Sequence, residues 1–233
     1  MRRIPEPELM DDPAQALAYA RADFSEPHDR FVALFTEHFG TGLTGTVLDL
    51  GCGPGDICRR LARAVPGCQV HGVDAAPTML QLARAETERH GLSRRIQFSL
   101  GHLPEAQLPG DHYDAVISNS LLHHLADPAA LWNSVRKFAR VGAPVFVMDL
   151  MRPESTSAAE RLVEQYAGDE PAVLRRDFLN SLLAAYRPAE VRDQLVRNGL
   201  GELQIATVSD RHVVVSGRLI NRATPRSDGI AHR

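Results

Sequence analysis

The chain has 233 residues, 44% hydrophobic and 24% charged, which is enough apolar material for one domain of ordinary size and excludes global disorder. A formal net charge of −3 and a pI near 6.4 give no basic footprint of the kind a phosphate backbone demands, so no nucleic-acid partner is expected. Cys52, Cys58 and Cys68 lack paired spacing and read as reduced thiols of a cytoplasmic protein.

MRRIPEPELMDDP has no apolar core after its two arginines and so does not read as a signal peptide. No apolar run approaches the roughly 20 residues that span a bilayer, and no stable membrane association is expected. Residues 13–39 carry helical spacing through Ala16, Tyr19, Ala20, Phe24, Phe31, Leu34, Phe35 and Phe39, with Pro27 predicting a break into two short helices. Residues 1–42 are expected to form an N-terminal helical cap.

From Thr46 the pattern alternates. TVLDL reads as a short apolar strand and DICRRLARAV as a helix stopped by Pro66 and Gly67. QVHGVD is a strand; PTMLQLARAETERHG is a helix with Pro77 in its first turn and Gly91 at its end. RIQFSLG and YDAVISNS follow as strands. DPAALWNSVRKFARVG reads as a helix with Asp127 as N-cap and Gly142 as its stop, and APVFVMDL as a buried strand. Repeated strand–helix units with apolar, β-branched strands imply a parallel sheet covered on both faces.

After Met151 the rhythm changes. SAAERLVEQYAG, VLRRDFLNSLLAAY and PAEVRDQLVRNG read as helices; LQIATVS and HVVVSGRL read as strands joined at Asp210–Arg211, a link short enough to force an antiparallel pair. The expected fold is α/β, a doubly wound Rossmann-like sheet, mostly parallel with one antiparallel C-terminal strand, plus the cap. It occupies residues 43–220, carries a helical insertion at about 153–186, and ends in a flexible tail over 221–233. The helices at 13–39 and 154–186 are expected over the strand C-termini, where open α/β sheets bind ligands.

The stretch VLDLGCGPGD names the ligand class. A glycine-rich turn after the first strand lets a ligand approach the backbone, with a helix N-terminus aimed at it. A phosphate-binding P-loop needs GxxxxGK followed by Ser or Thr, which is absent. A dinucleotide fingerprint needs GxGxxG; Gly51 and Gly53 fit, but the third glycine falls one place early at Gly55, and Asp56 holds the required place. Asp56 repels a pyrophosphate and suits an ammonium. Asp74, at the end of the second strand, is placed to accept both hydroxyls of a ribose. The pattern favours a nucleoside with an amino-acid tail over NAD.

VLDLGCGPGD, GVD at the second strand end, and YDAVISNSLLHHLADP at the fourth together resemble class I S-adenosylmethionine (SAM)-dependent methyltransferases, most closely the small-molecule enzymes of the UbiE and type 11 kind. The resemblance is clear over about residues 46–150 and weaker beyond. It implies a SAM-dependent methyltransferase with S-adenosylhomocysteine as product. It places Gly51, Cys52, Gly53 and Asp56 against the methionine part of SAM, Asp74 and Ala75 at the ribose, and Met79 near the adenine. The family often has an acidic residue after the third strand; here Gly101, His102 and Leu103 stand there, leaving His102 as the adenine-side candidate. Asn119 would border the transferred methyl. No metal is implied. Asp49 has two readings, a hydrogen bond to the loop backbone or a contact to SAM.

The sulfonium already activates the methyl group, so the enzyme must chiefly align an acceptor and exclude water. Where the acceptor must lose a proton, His123 and His124 are the candidate bases, although both can equally be structural. Tyr19 and His28 from the cap, Arg152 after the fifth strand, and Tyr186 and Arg187 at the end of the insertion are candidate substrate contacts; an arginine there could clamp a carboxylate. DRH at 210–212 reads most simply as a hairpin turn. SNSLLHHL has no proline pair and no aromatic to stack on a flipped base, which with the charge favours a small-molecule acceptor methylated at O, N or S. The alternatives are C-methylation of a quinone-like ring, a non-catalytic SAM-binding module and, less well matched, an NAD-linked oxidoreductase. Many small methyltransferases pair up, so a homodimer fits the resemblance.

Overall fold

The computed structural model describes residues 1–6, 19 and 22–220. The expected first cap helix and the tail at 221–233 fall almost wholly outside the described residues. In chain order the elements are α1 (Ser25–Phe39), β1 (Gly45–Leu50), α2 (Asp56–Ala64), β2 (Cys68–Asp74), α3 (Pro77–Arg89), β3 (Ile96–Leu100), β4 (Ala115–Asn119), α4 (Ala129–Phe138), β5 (Pro144–Leu150), α5 (Thr156–Ala167), α6 (Ala172–Ala184), α7 (Pro188–Arg197), β6 (Gln204–Thr207) and β7 (His212–Arg218). The seven strands form one sheet in the order β3-β2-β1-β4-β5-β7-β6. β1 to β5 are mutually parallel, and β7 runs antiparallel to both β5 and β6. The doubly wound sheet with its antiparallel C-terminal strand is therefore present.

Strand alternation sorts the apolar side chains onto two faces. Leu48, Leu50, Val116, Val145 and Val147 point into one core with Leu131, Trp132, Val135 and Leu195 of α4 and α7. Val47, Ile117, Phe146 and Met148 point into the other with Phe31 and Phe35 of α1 and Leu61 of α2. Phe31 and Phe35 meet Phe146 edge-on at ring-centroid distances of 5.0 and 5.9 Å. Each fully buried phenylalanine contributes about 1.5–3 kcal/mol by removal from water. Trp132 is fully buried, and its indole N–H donates to Gln194 Oε1 at 3.0 Å, so no polar atom is stranded there.

Three local expectations are corrected. Pro27 is not itself the break: it lies in the first turn of α1, where a missing N–H leaves no intrahelical bond unmade, and the non-helical residues are 22–24, after a helical Tyr19. The C-terminal half of α1 packs on a sheet face, and its N-terminal end alone reaches the strand C-termini. α4 ends at Phe138 rather than near Gly142, because Ala139 turns to extended backbone and bridges to Tyr113; at its other end Asp127 Oδ1 accepts Ala129 N–H at 2.9 Å. α5 and α6 pack on Leu150 through Ala159, Val163 and Leu182, which fixes the insertion above the end of β5.

Candidate active site

β1 runs into the glycine turn and β2 holds it. Gly51 and Cys52 both donate their N–H groups to Val73 O, at 2.8 and 3.0 Å. Gly53 N–H donates to Asp74 Oδ2 at 2.8 Å, and Ala76 N–H donates to Asp74 Oδ1 at 2.9 Å. Gly51 has φ +72°, and a Cβ there would meet Leu121 at 2.7–2.9 Å. Gly53 has φ +51°, but a Cβ there would meet none of the described residues within 4 Å beyond its chain neighbours: its open face looks into a cavity.

That cavity brings together all ten expected cofactor contacts: Gly51, Cys52, Gly53, Asp56, Asp74, Ala75, Met79, Gly101, His102 and Asn119. Ala76 and Met79 are buried and pack with Tyr19, forming an apolar wall. Burial pushes the Asp74 carboxyl above its usual range, against the backbone N–H groups that favour its charged form. Each of its oxygens keeps a lone pair for a further donor such as a ribose hydroxyl. Asn119 Oδ1 is buried with no hydrogen-bond partner among the described residues, an acceptor turned toward the same space.

Besides Asp74, two further carboxylates line this cavity, in different states. Asp56, the first residue of α2, lies 2.7 Å from His28 Nδ1, 2.7 Å from Arg60 Nε and 3.4 Å from Arg59. Burial alone would raise it, but His28 and Arg60 hold it well below the usual carboxylate range. Its charge is already matched, which weakens the expected pairing with an ammonium. Asp49 is buried and, among the described residues, has no ion-pair partner; it accepts the Cys58 thiol at 3.1 Å, with no bond there to the loop backbone. Burial pushes it up to about 7. Burial likewise raises Cys52 and Cys58, and all three cysteines are buried free thiols, so none is an activated nucleophile.

A second, larger cavity adjoins the first and shares Tyr19, His28, Asn119, Ser120 and His124 with it. Ser120, which follows β4, has φ +53°, a conformation an L-residue rarely holds, at this junction. His123 faces the second cavity and is 2% exposed; its Nδ1 lies 2.5 Å from Asp149 Oδ1. Burial works against the charged imidazole, yet Asp149 beside it raises His123 overall, and His123 holds Asp149 below its usual range.

Three expected substrate contacts lie elsewhere. Arg152 is buried, with its guanidinium donating to Ala185 O at 2.8 Å and Glu190 Oε1 at 2.6 Å. Tyr186 donates to Leu125 O at 3.3 Å beneath the Arg3 guanidinium, and Arg187 precedes α7 with its N–H on Glu190 Oε2 at 2.7 Å. None of the three lines either cavity. They bind the insertion to α7 instead.

Other residues of the larger cavity had no motif. Arg211 and His212 line it, although DRH reads as a turn. The signal was topological: β7 is antiparallel, so its first residues lie at the edge where the parallel strands end. Arg211 stacks 3.4 Å over the Tyr166 ring and pairs with Glu26 at 3.1 Å. Tyr166, Leu174 and Phe178 add an aromatic and aliphatic wall from α5 and α6.

A doubly wound sheet, a glycine turn pinned by an acidic residue from β2, and a nucleoside-sized set of contacts define a SAM-binding methyltransferase domain. The residues present fit SAM: an apolar slot, a ribose carboxylate, an open glycine face and an unpartnered amide oxygen. The methyltransferase domain family matches residues 47–167, a little over half of the chain, and the chain belongs to it. It is 42% identical over 90 residues to a release factor glutamine methyltransferase of Gloeobacter violaceus, covering 39% of this chain and 31% of that protein. It is 32% identical over 112 residues to a ubiquinone biosynthesis O-methyltransferase of Aeromonas salmonicida, covering 48% and 46%. The chain thus spans about a third to a half of these curated relatives. A SAM-dependent methyltransferase from Aquifex aeolicus has the same fold, with TM-score 0.65 at 19% identity over 88% of this chain and 97% of that one.

Proposed function

We propose that the protein transfers a methyl group from SAM to a small-molecule acceptor held in the larger cavity, at an oxygen in the favoured case. The observation that carries this is the shared wall: Tyr19, His28, Asn119, Ser120 and His124 each face both cavities. A donor in one and an acceptor in the other would meet there. Bound SAM supplies an electrophilic methyl on a sulfonium.

The chain's own residues do the rest. Asp74 and the Gly53 N–H fix the nucleoside end, and Asn119 Oδ1 presents a lone pair to the methyl or to a donor on the acceptor. Tyr166, Leu174, Phe178, Met148 and Leu150 exclude water from the acceptor side. His124, at the junction, is the group best placed to take a proton from a hydroxyl. Oxygen is favoured because the imidazoles suit a phenolic or hydroxyl proton, and because the Aeromonas relative is named an O-methyltransferase. Among the described residues no helix is long and apolar enough to cross a membrane.

The test is label transfer from methyl-labelled SAM to a panel of phenols, aliphatic alcohols, amines and thiols. Transfer to a phenol or alcohol, abolished by S-adenosylhomocysteine, supports the proposal. Transfer confined to a carbon or to a protein substrate overturns the acceptor assignment.

A further inference from the structure

We propose that Glu6, His123 and His124 bind one divalent first-row transition-metal ion of the zinc type at the wall between the two cavities. Glu6 Oε1 lies 3.1 Å from His124 Nδ1 and 3.6 Å from His123 Nε2, and the three donor atoms all fall within 4.8 Å of one another. Ligands at about 2.0–2.1 Å from a tetrahedral centre are separated by roughly 3.3 Å, so these spacings surround a common point.

The directions matter more than the distances. Glu6 Oε1 is buried, its side chain 9% exposed, and it makes no hydrogen bond among the described residues, although His124 Nδ1 is at hydrogen-bonding separation. A buried carboxylate oxygen without a hydrogen-bond donor, beside two imidazoles, is an acceptor open to a cation. His123 provides the second sign. Its Nδ1 donates to Asp149 Oδ1, which leaves the Nε2 lone pair on the Glu6 side. Asp149 is itself fixed by the N–H groups of Leu122 and Leu150, each at 2.7 Å. A carboxylate on the far nitrogen sets tautomer and ring orientation in metal-ligating histidines. The rings of His123 and His124 lie 4.1 Å apart, so successive residues deliver two nitrogens to one place.

Among the described residues, Arg3 is the cation beside this cluster. Arg3 donates to His123 O at 2.9 Å and Leu125 O at 3.2 Å, so its N–H groups point at carbonyls rather than at the three donors. Two imidazoles and one carboxylate are a borderline-soft set, suited to zinc and its neighbours rather than to calcium or magnesium. Three protein ligands leave positions for an outside oxygen. Because His124 lines both cavities, that oxygen would come from the acceptor. The ion would bind an acceptor hydroxyl as its alkoxide or phenolate, the proton passing to solvent; with His124 Nδ1 on the ion, the ion takes over the proton-removing role that His124 would have in the metal-free site. The acceptor class rests on the methyl-transfer reading; the ion site does not.

The experiment is calorimetric titration of chelator-stripped full-length protein with zinc chloride, alongside Glu6→Gln, His124→Ala and Asp149→Asn, with S-adenosylhomocysteine binding and thermal melting measured on each. The expected result is one zinc per chain in the wild type. Glu6→Gln and His124→Ala should lose at least tenfold in affinity, and Asp149→Asn about 10- to 100-fold. Glu6→Gln and Asp149→Asn should keep S-adenosylhomocysteine binding, and all three should keep a cooperative thermal melt, which shows that they fold; His124 lines the cofactor cavity, so for His124→Ala the melt alone is the fold check. Zinc binding that is absent in the wild type, or unchanged in Glu6→Gln and His124→Ala, overturns the site. Loss of S-adenosylhomocysteine binding in the wild type would instead strike the methyl-transfer reading and leave the zinc result to be judged alone.

Discussion

Gly53→Ala separates the fold of the glycine turn from its use. At φ +51° an alanine pays the left-handed penalty, about 1–2 kcal/mol. Its new methyl meets no other described residue, because beyond its two chain neighbours none of their heavy atoms lies within 4 Å of the Cβ position. For a chain of this size the melting temperature should fall only about 2–4 °C per kcal/mol. The open side of Gly53 is the cofactor cavity, so the same methyl would stand where the ligand approaches the backbone. An overpacked contact costs about 1–3 kcal/mol, or roughly 5- to 150-fold in affinity. Gly51→Ala is the matched control: its Cβ would collide with Leu121 at 2.7–2.9 Å, so it should lose more stability. The assay pairs thermal melting with calorimetric titration of S-adenosylhomocysteine. A folded Gly53→Ala protein that binds this ligand as tightly as wild type would refute the placement of the ligand over the turn.

Asp74→Asn should keep one backbone acceptor but replace the other by an amide that cannot accept from Gly53 or a ribose hydroxyl; S-adenosylhomocysteine affinity should fall about 10- to 100-fold, as for one hydrogen bond to a charged group, and an unchanged dissociation constant would contradict it. Asp49, raised by burial to about 7, is part-protonated at neutral pH; a cationic donor beside it favours the charged form, so SAM should bind more tightly at pH 8 than at pH 6 and release protons in buffers of different ionisation enthalpy, an effect Asp49→Asn should remove. His212 is lowered to about 4, by burial first and Arg211 next. A histidine kept neutral in the fold but free to charge when unfolded costs stability as pH falls from about 6.5 toward 4, by up to about 3 kcal/mol. His212→Gln should therefore flatten the acid limb of chemical-denaturation midpoints between pH 7 and pH 5, and an unaltered limb would count against the burial argument.

The parts of the fold that follow from local chemistry were legible. Val47–Leu50 and Val145–Met148, short apolar runs alternating with helical patterns, read as strands covered on both faces, and the missing Lys and Ser or Thr after the glycines was enough to reject a phosphate loop. What escaped depended on where distant segments meet. Pro27 looked like a helix break because sequence does not say where a first turn begins. Arg152, Tyr186 and Arg187 have the chemistry of substrate contacts, but Glu190 and the carbonyls of Leu125 and Ala185 engage them, and those partners are set by packing of the insertion. Glu6 carried no motif at all. It matters because the N-terminal residues lie beside His123 and His124, with Ile4 N–H on Leu183 O at 3.1 Å. Arg211 and His212 were hidden behind a turn signature whose meaning changes once β7 is known to be antiparallel.

The central claim is that the turn at Gly51–Gly53, with Asp74, holds a SAM-type nucleoside. The most direct measurement is calorimetric titration of the wild-type chain with SAM, S-adenosylhomocysteine and NADH in turn. Saturable binding of the first two at one site per chain, with none of NADH, is the predicted result. No binding of either SAM-type ligand, or tighter binding of NADH, would contradict the account.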